Sequence, residues 1–173
     1  MRLSYIYRVS AGARLKSMEA IQFDHADGWR AAMQVALAED TRAIDWFDVD
    51  LSESIAHEVA AAERIKALLA SSPLVRVRLL LHDDKFFWRY CQRLVLLQQV
   101  YGHAFEVRLT SEADRHPAET FLLTDVSVVR RFHPDSHRGE ASEDGRQRAL
   151  CRQAFHLMWQ HAQPAQEGRR LGI

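Results

Sequence analysis

Cysteine, proline and glycine are all scarce, with 2, 4 and 7 residues in a chain of 173. The two cysteines, Cys91 and Cys151, stand far apart inside apolar helical patterns. That excludes a disulfide framework and a paired CxxC zinc site, and predicts buried free thiols in a reducing compartment. The few glycines form no phosphate-cradling loop, and neither a GxSxG elbow nor an HExxH helix occurs, so the common signatures of nucleotide binding, serine hydrolysis and zinc peptidase chemistry are missing. An excess of one charge is missing too. Lys plus Arg and Asp plus Glu both number 23, which leaves no net field to gather nucleic acid or an anionic membrane and argues against both as partners. There is no run of about 18 apolar residues, and the N-terminal MRLSYIYRVSAG alternates, so neither a membrane span nor a secretory signal is expected. A soluble, cytoplasmic protein with one substantial core is the expectation.

What is present is an alternation of strand and helix patterns. Residues Leu3 to Val9 have strand periodicity and Ile21 to Phe23 could pair with them, so residues 1–26 read as an N-terminal strand extension. Asp27 is the natural N-cap of a helix over Gly28 to Ala38, in which Trp29, Met33 and Leu37 share one face. Ala43 to Leu51 is a strand whose acidic residues Asp45, Asp48 and Asp50 predict an end that emerges into solvent or a cleft. A long helix opens at Ser54 and stops at Ser71-Ser72-Pro73. Val75 to Leu81 is a strand, Phe86 to Tyr101 one amphipathic helix closed by Gly102, and Phe105 to Leu109 a further strand. Such alternation predicts βαβ units around a largely parallel sheet. Residues 120–132 then read as a tight strand pair around Asp125, His133 to Arg146 as a polar loop, and Arg148 to His161 as the last helix. The predicted domain is 27–163, with 164–173 a flexible tail.

Open α/β sheets place ligands at the carboxyl ends of their strands. Asp50 ends one strand, and His82 and Asp83 leave another; with His116 and Asp125 they form the candidate cleft. Acid, base or cation-ligand roles suit these residues, and so does the plainer reading of a polar turn that caps the next helix. Arg130 and Arg131, with Arg76, Arg78 and Arg108 on neighbouring strands, are candidate anion-binding residues, because guanidinium forks match phosphate. Arginines on an edge strand also cover apolar surface and deter aggregation. His133 and His137 flank Asp135 without a helix to align them, so no metal site is expected, nor any cofactor. Trp29, Phe87, Phe155 and Trp159 fit helical core faces.

The segment His116 to Phe132, HPAETFLLTDVSVVRRF, with Gly139 to Ser142 and the helix end Phe155 to Trp159 after it, resembles the phospholipase D-like superfamily. The signature there is His-x-Lys, four residues, then Asp, with a Gly-Ser-x-Asn type segment downstream. The best register sets Asp125 on the aspartate, Ala118 on the histidine and Thr120 on the lysine. The order of elements over residues 27–162 also resembles a bacterial family of uncharacterised domains of this type, found alone or appended to acetyltransferases, that lacks the signature. The fold class expected is therefore α/β, a mainly parallel mixed sheet flanked by helices on both faces, with phospholipase D-like topology.

The resemblance implies the loss of phosphodiester transfer: alanine cannot act as the nucleophile, and a register shifted by two residues, onto His116, does not restore the pairing. A non-catalytic module that binds an anionic small molecule or a protein partner is expected, with no catalytic residue. The resemblance also implies a homodimer, as single-domain members pair about a two-fold axis. The rivals are a hydrolase with a relocated site built from His82, Asp83 and His116, and an accessory domain to an acetyltransferase. Convergence of Asp50, His82, His116 and Asp125 in one pocket would favour the hydrolase; divergence would remove its support.

Overall fold

The computed structural model describes residues 20–116 and 119–166; the strand expected at Leu3 to Val9, Ala118 and most of the expected tail lie outside them. Strands β1 (Ile21–Phe23), β2 (Ala43–Asp48), β3 (Arg76–Leu81), β4 (Phe105–Leu109), β5 (Thr120–Leu123), β6 (Val128–Arg131), β7 (Gly139–Ser142) and β8 (Gln163–Pro164) form one sheet in the order β1-β7-β6-β5-β2-β3-β4-β8. Only β2, β3 and β4 run parallel to one another. The other pairings are antiparallel, so the mixed sheet is mainly antiparallel rather than mainly parallel. Helices separate β2, β3 and β4 along the chain and carry it back across the sheet, which makes neighbours parallel; β5, β6 and β7 follow one another without a helix and can only fold back on themselves.

Helices α1 (Ala26–Ala38), α2 (Val59–Ser71), α3 (Lys85–Tyr90) and α4 (Gln92–Val100) cover one face, and α5 (Gly145–His161) covers the other. The period of two in the strands divides the core accordingly. Ile44 and Trp46 of β2 and Val77 and Leu79 of β3 join Trp29, Met33, Ile65 and Leu94. Phe47, Leu80, Phe121 and Leu123 face Cys151, Phe155 and Trp159 of α5. Full burial of a side chain such as Phe105 or Phe121 stabilises by roughly 1.5–3 kcal/mol relative to exposure.

Several local expectations are corrected. His25, not Asp27, caps α1, its Nδ1 accepting from Gly28 N at 3.0 Å. Ser54 does not open α2; its Oγ donates to Leu51 O at 2.7 Å and accepts from Ala56 N at 3.1 Å, holding a buried turn before the helix begins at Val59. Leu51 has φ 70°, a left-handed backbone that a bulky residue adopts only under constraint, and its side chain is wholly buried. The helix expected over Phe86 to Tyr101 breaks at Cys91 into α3 and α4. The supposed loop after His133 contains β7, and β1 pairs with β7. Gly139 permits this: a Cβ there would meet Arg130 O at 2.0 Å and the Phe23 ring at 2.6 Å.

Candidate functional site

At the carboxyl end of β2, side-chain alternation puts Asp48 on the face shared by Ile44 and Trp46 and buries it at the foot of the loop that follows. Its Oδ1 accepts from Val49 N at 2.7 Å. Arg131, at the end of β6 and equally buried, aims its guanidinium into the same space. Nη2 lies 3.8 Å from Asp48 Oδ1, Nη1 donates to Glu53 Oε2 at 2.5 Å, and Nε donates to Thr120 Oγ1 at 3.3 Å. The guanidinium carbon stands 5.5 Å from the Trp29 ring. His137 reaches the same Glu53 oxygen, Nε2 to Oε2, at 3.4 Å. Burial drives the Asp48 carboxyl up to about 6 from 3.8, Arg131 opposing and Asp50 adding to the rise.

Neighbouring strand ends carry the residues singled out from the sequence, in separate environments. His82 leaves β3 on the α5 face, with Nδ1 2.7 Å from Thr110 Oγ1 and its ring edge-on to Phe47. Burial lowers its pKa, helped by the charges of Arg115 and His116, and the imidazole favours its neutral form. Asp50 accepts from Ser52 N at 2.9 Å and Ser52 Oγ at 2.7 Å, while Asp83 accepts from Lys85 N at 2.9 Å. These two aspartates do meet: with Lys85, Phe86, Arg89 and Tyr90 they line an open cleft of about 220 Å³.

Asp125 lies elsewhere. Its Oδ2 accepts from Arg42 N at 2.7 Å and Thr41 Oγ1 at 3.1 Å, which ties the β5–β6 turn to the amino end of β2. Six strand residues separate that point from the carboxyl end, about 20 Å at the usual rise. Asp125 therefore does not join the other candidates: the charge of His116 acts on His82 and Asp50 meets Asp83, but the convergence that would have supported a relocated hydrolase site is absent.

Of the arginines, only Arg131 enters the cluster. Arg130 points to the opposite face and is matched by Glu140 at 2.7 Å and Glu119 at 3.3 Å. Arg78 makes a two-pronged pair with Asp45 at 2.7 and 2.8 Å, Arg76 bonds the carbonyls of Pro73 and Val75, and Arg108 lies over Trp159 and reaches Glu106. The wider arginine patch expected from the sequence is thus divided among local partners. Both cysteines are buried, and burial pushes each thiol up to about 12, far from the reactive range. His133 accepts from Asp135 N at 3.2 Å and His137 turns to Glu53; among the described residues no group of three or more His, Cys, Asp or Glu could hold a metal ion. Nor, among them, is any helix long and apolar enough to cross a membrane.

Asp48 and Glu53 were not singled out as site residues from the sequence. Asp48 had a signal: in AIDWFD it alternates with Ile44 and Trp46, and a carboxylate on a core-facing register needs a buried cation. Glu53 had none, as its partner lies 78 residues away.

The sheet with its split helical cover is shared with solved structures at low sequence identity. NucT from Helicobacter pylori superimposes with a TM-score of 0.52 at 10% identity, covering 85% of this chain and 99% of that one. TrmBL2, described as an archaeal chromatin protein with a novel mode of DNA binding, superimposes with a TM-score of 0.65 at 14% identity, over 91% of this chain; the present chain spans 57% of its length. Nuc from Salmonella typhimurium, described as a phospholipase D family member, gives a TM-score of 0.48 at 11% identity over 79% of this chain and 90% of that one. No curated protein sequence matches. The chain belongs to the family described as a domain of unknown function, DUF7931, whose model matches residues 25–171.

Proposed function

We propose that this protein is a non-catalytic module that uses a phospholipase D-like fold to bind an anion at Arg131. The observation that carries this is a buried, fixed guanidinium: Thr120, in the register of the family lysine, accepts from Arg131 Nε, and the guanidinium it steadies is the buried cation of the cluster. An arginine fixed by its surroundings is a preorganised oxyanion partner. The test pairs turnover with binding. The full chain should not hydrolyse bis(p-nitrophenyl) phosphate, while acetate or inorganic phosphate should move the Arg131 Nε–H resonance in an NMR titration. Hydrolysis at a rate above background, or no response at Arg131 to either anion, would overturn the reading.

A second reading, DNA binding, is favoured by α5. This helix of 17 residues carries Arg146, Arg148 and Arg152 with no acidic residue, and Arg146, Arg152, Gln153, His156 and Gln160 are exposed along it. TrmBL2, of similar fold, is described as binding DNA. Fluorescence anisotropy with a labelled duplex checks this: affinity that falls steeply with salt and is lost in Arg146→Ala/Arg152→Ala supports it, and no binding at low salt removes it.

A further inference from the structure

We propose that the Arg131 guanidinium receives the carboxylate of a small organic acid, and that Glu53 holds that place in the free protein. The inference rests on the anion-binding reading above and assigns its ligand class and its gate. Arg131 is 3% exposed and the Glu53 side chain 51%, so the cation is fixed within the sheet while its partner reaches in from solvent. A buried guanidinium is costly to leave unpaired, and the place beside Nη1 therefore favours an anion. The position suits one: Arg131 Nη1 stands 2.5 Å from the Glu53 oxygen and His137 Nε2 3.4 Å from it, a strand residue and a residue of the following loop converging on a single carboxylate.

The backbone that carries Glu53 does not need to move for this place to change hands. Leu51 and Ile55, on either side, are wholly buried, and Ser54 Oγ ties the turn to Leu51 O. Rotation of the Glu53 side chain into water is sufficient, and it vacates the place beside Nη1 and the His137 ring together.

Charge selects the occupant. Asp48, 3.8 Å from Nη2, already sets a negative charge against the guanidinium, so any further charge on the occupant is surplus and a monoanion such as the glutamate side chain brings the least. A phosphate dianion would bring a surplus negative charge next to Asp48. A planar carboxylate also matches a guanidinium fork in shape.

The experiment compares the full-length wild type, Glu53→Ala and Glu53→Gln by NMR at Arg131 Nε–H, titrated with sodium acetate and with sodium phosphate at matched ionic strength. The expected result is acetate binding at least about tenfold tighter in Glu53→Ala than in the wild type, and tighter than phosphate in the same variant. Glu53→Gln keeps the side-chain volume, so it serves if the alanine variant does not fold, and it too should bind acetate more tightly than the wild type. Equal acetate affinity in wild type and variants, or phosphate bound more tightly than acetate, overturns the assignment of Glu53 and of the carboxylate while leaving anion binding at Arg131 intact. No response at Arg131 to either anion in any of the three proteins overturns both readings.

Discussion

Replacing Asp48 by asparagine separates the cost of a buried charge from the packing around it. The folded carboxyl sits at about 6 against an ordinary 3.8, a difference worth about 3 kcal/mol at about 1.36 kcal/mol per pH unit. Because the folded value is the higher one, this stabilisation is fully present below about pH 4 and is lost as pH rises through about 6. Asparagine resembles the protonated carboxyl in shape and can keep the 2.7 Å bond from Val49 N, yet it never ionises. The variant and the wild type should therefore be close in stability near pH 4, and the variant should lead by up to about 3 kcal/mol near pH 8. Urea unfolding at a series of pH values measures this directly, through the midpoint at constant m. Glu39, also raised by burial, and His82, lowered by it, titrate in both proteins and cancel in the difference. Parallel curves for the two proteins across that range would falsify the account of Asp48 as a carboxylate held against its solvation preference.

Other consequences are simpler. Gly139→Ala should destabilise by about 3 kcal/mol or more, measured by urea unfolding, because the added Cβ falls 2.0 Å from Arg130 O, backbone that cannot swing aside. Asp125→Ala should cost about 1–3 kcal/mol through the lost bonds to Arg42 N and Thr41 Oγ1, yet leave anion titration at Arg131 unchanged; altered binding would contradict the separation of the two ends of β2. Cys91 and Cys151 should resist a thiol reagent in native buffer and react once unfolded, since burial holds both thiols at about 12.

Much of the fold was legible because the strands speak through alternation and the helices through their fourth-residue spacing. β2, β3, β4 and the β5–β6 pair stand where those patterns place them. The errors came where one residue's role depends on another far away. Ser54 has the composition of a helix cap, but the carbonyl it bonds belongs to Leu51, whose left-handed backbone postpones the helix to Val59. β7 reads as loop because GEAS has no apolar period; it is a strand because β1 and β6 lie on either side of it and Gly139 lets the Phe23 ring and the Arg130 carbonyl approach. Sheet direction was misjudged for a related reason, as βαβ alternation ends at Leu109 and the remaining strands pair by hairpin.

The two ends of β2 separate what Asp125 does from what Thr120 does. Asp125 has structural work of its own: it bonds a backbone amide and a hydroxyl at the head of β2, and the β5–β6 turn is anchored by it whatever chemistry the other end performs. Thr120 stands at that other end, where the side chain needs only to fit against Arg131 Nε. A motif that spans a whole strand therefore joins two independent requirements, one set by the hairpin and one by the reaction. In this chain Asp125 anchors the hairpin, and at the other end Thr120 stands against a cation that faces Asp48 and Glu53. Reading function from such a motif means asking at which end of the strand each of its residues falls.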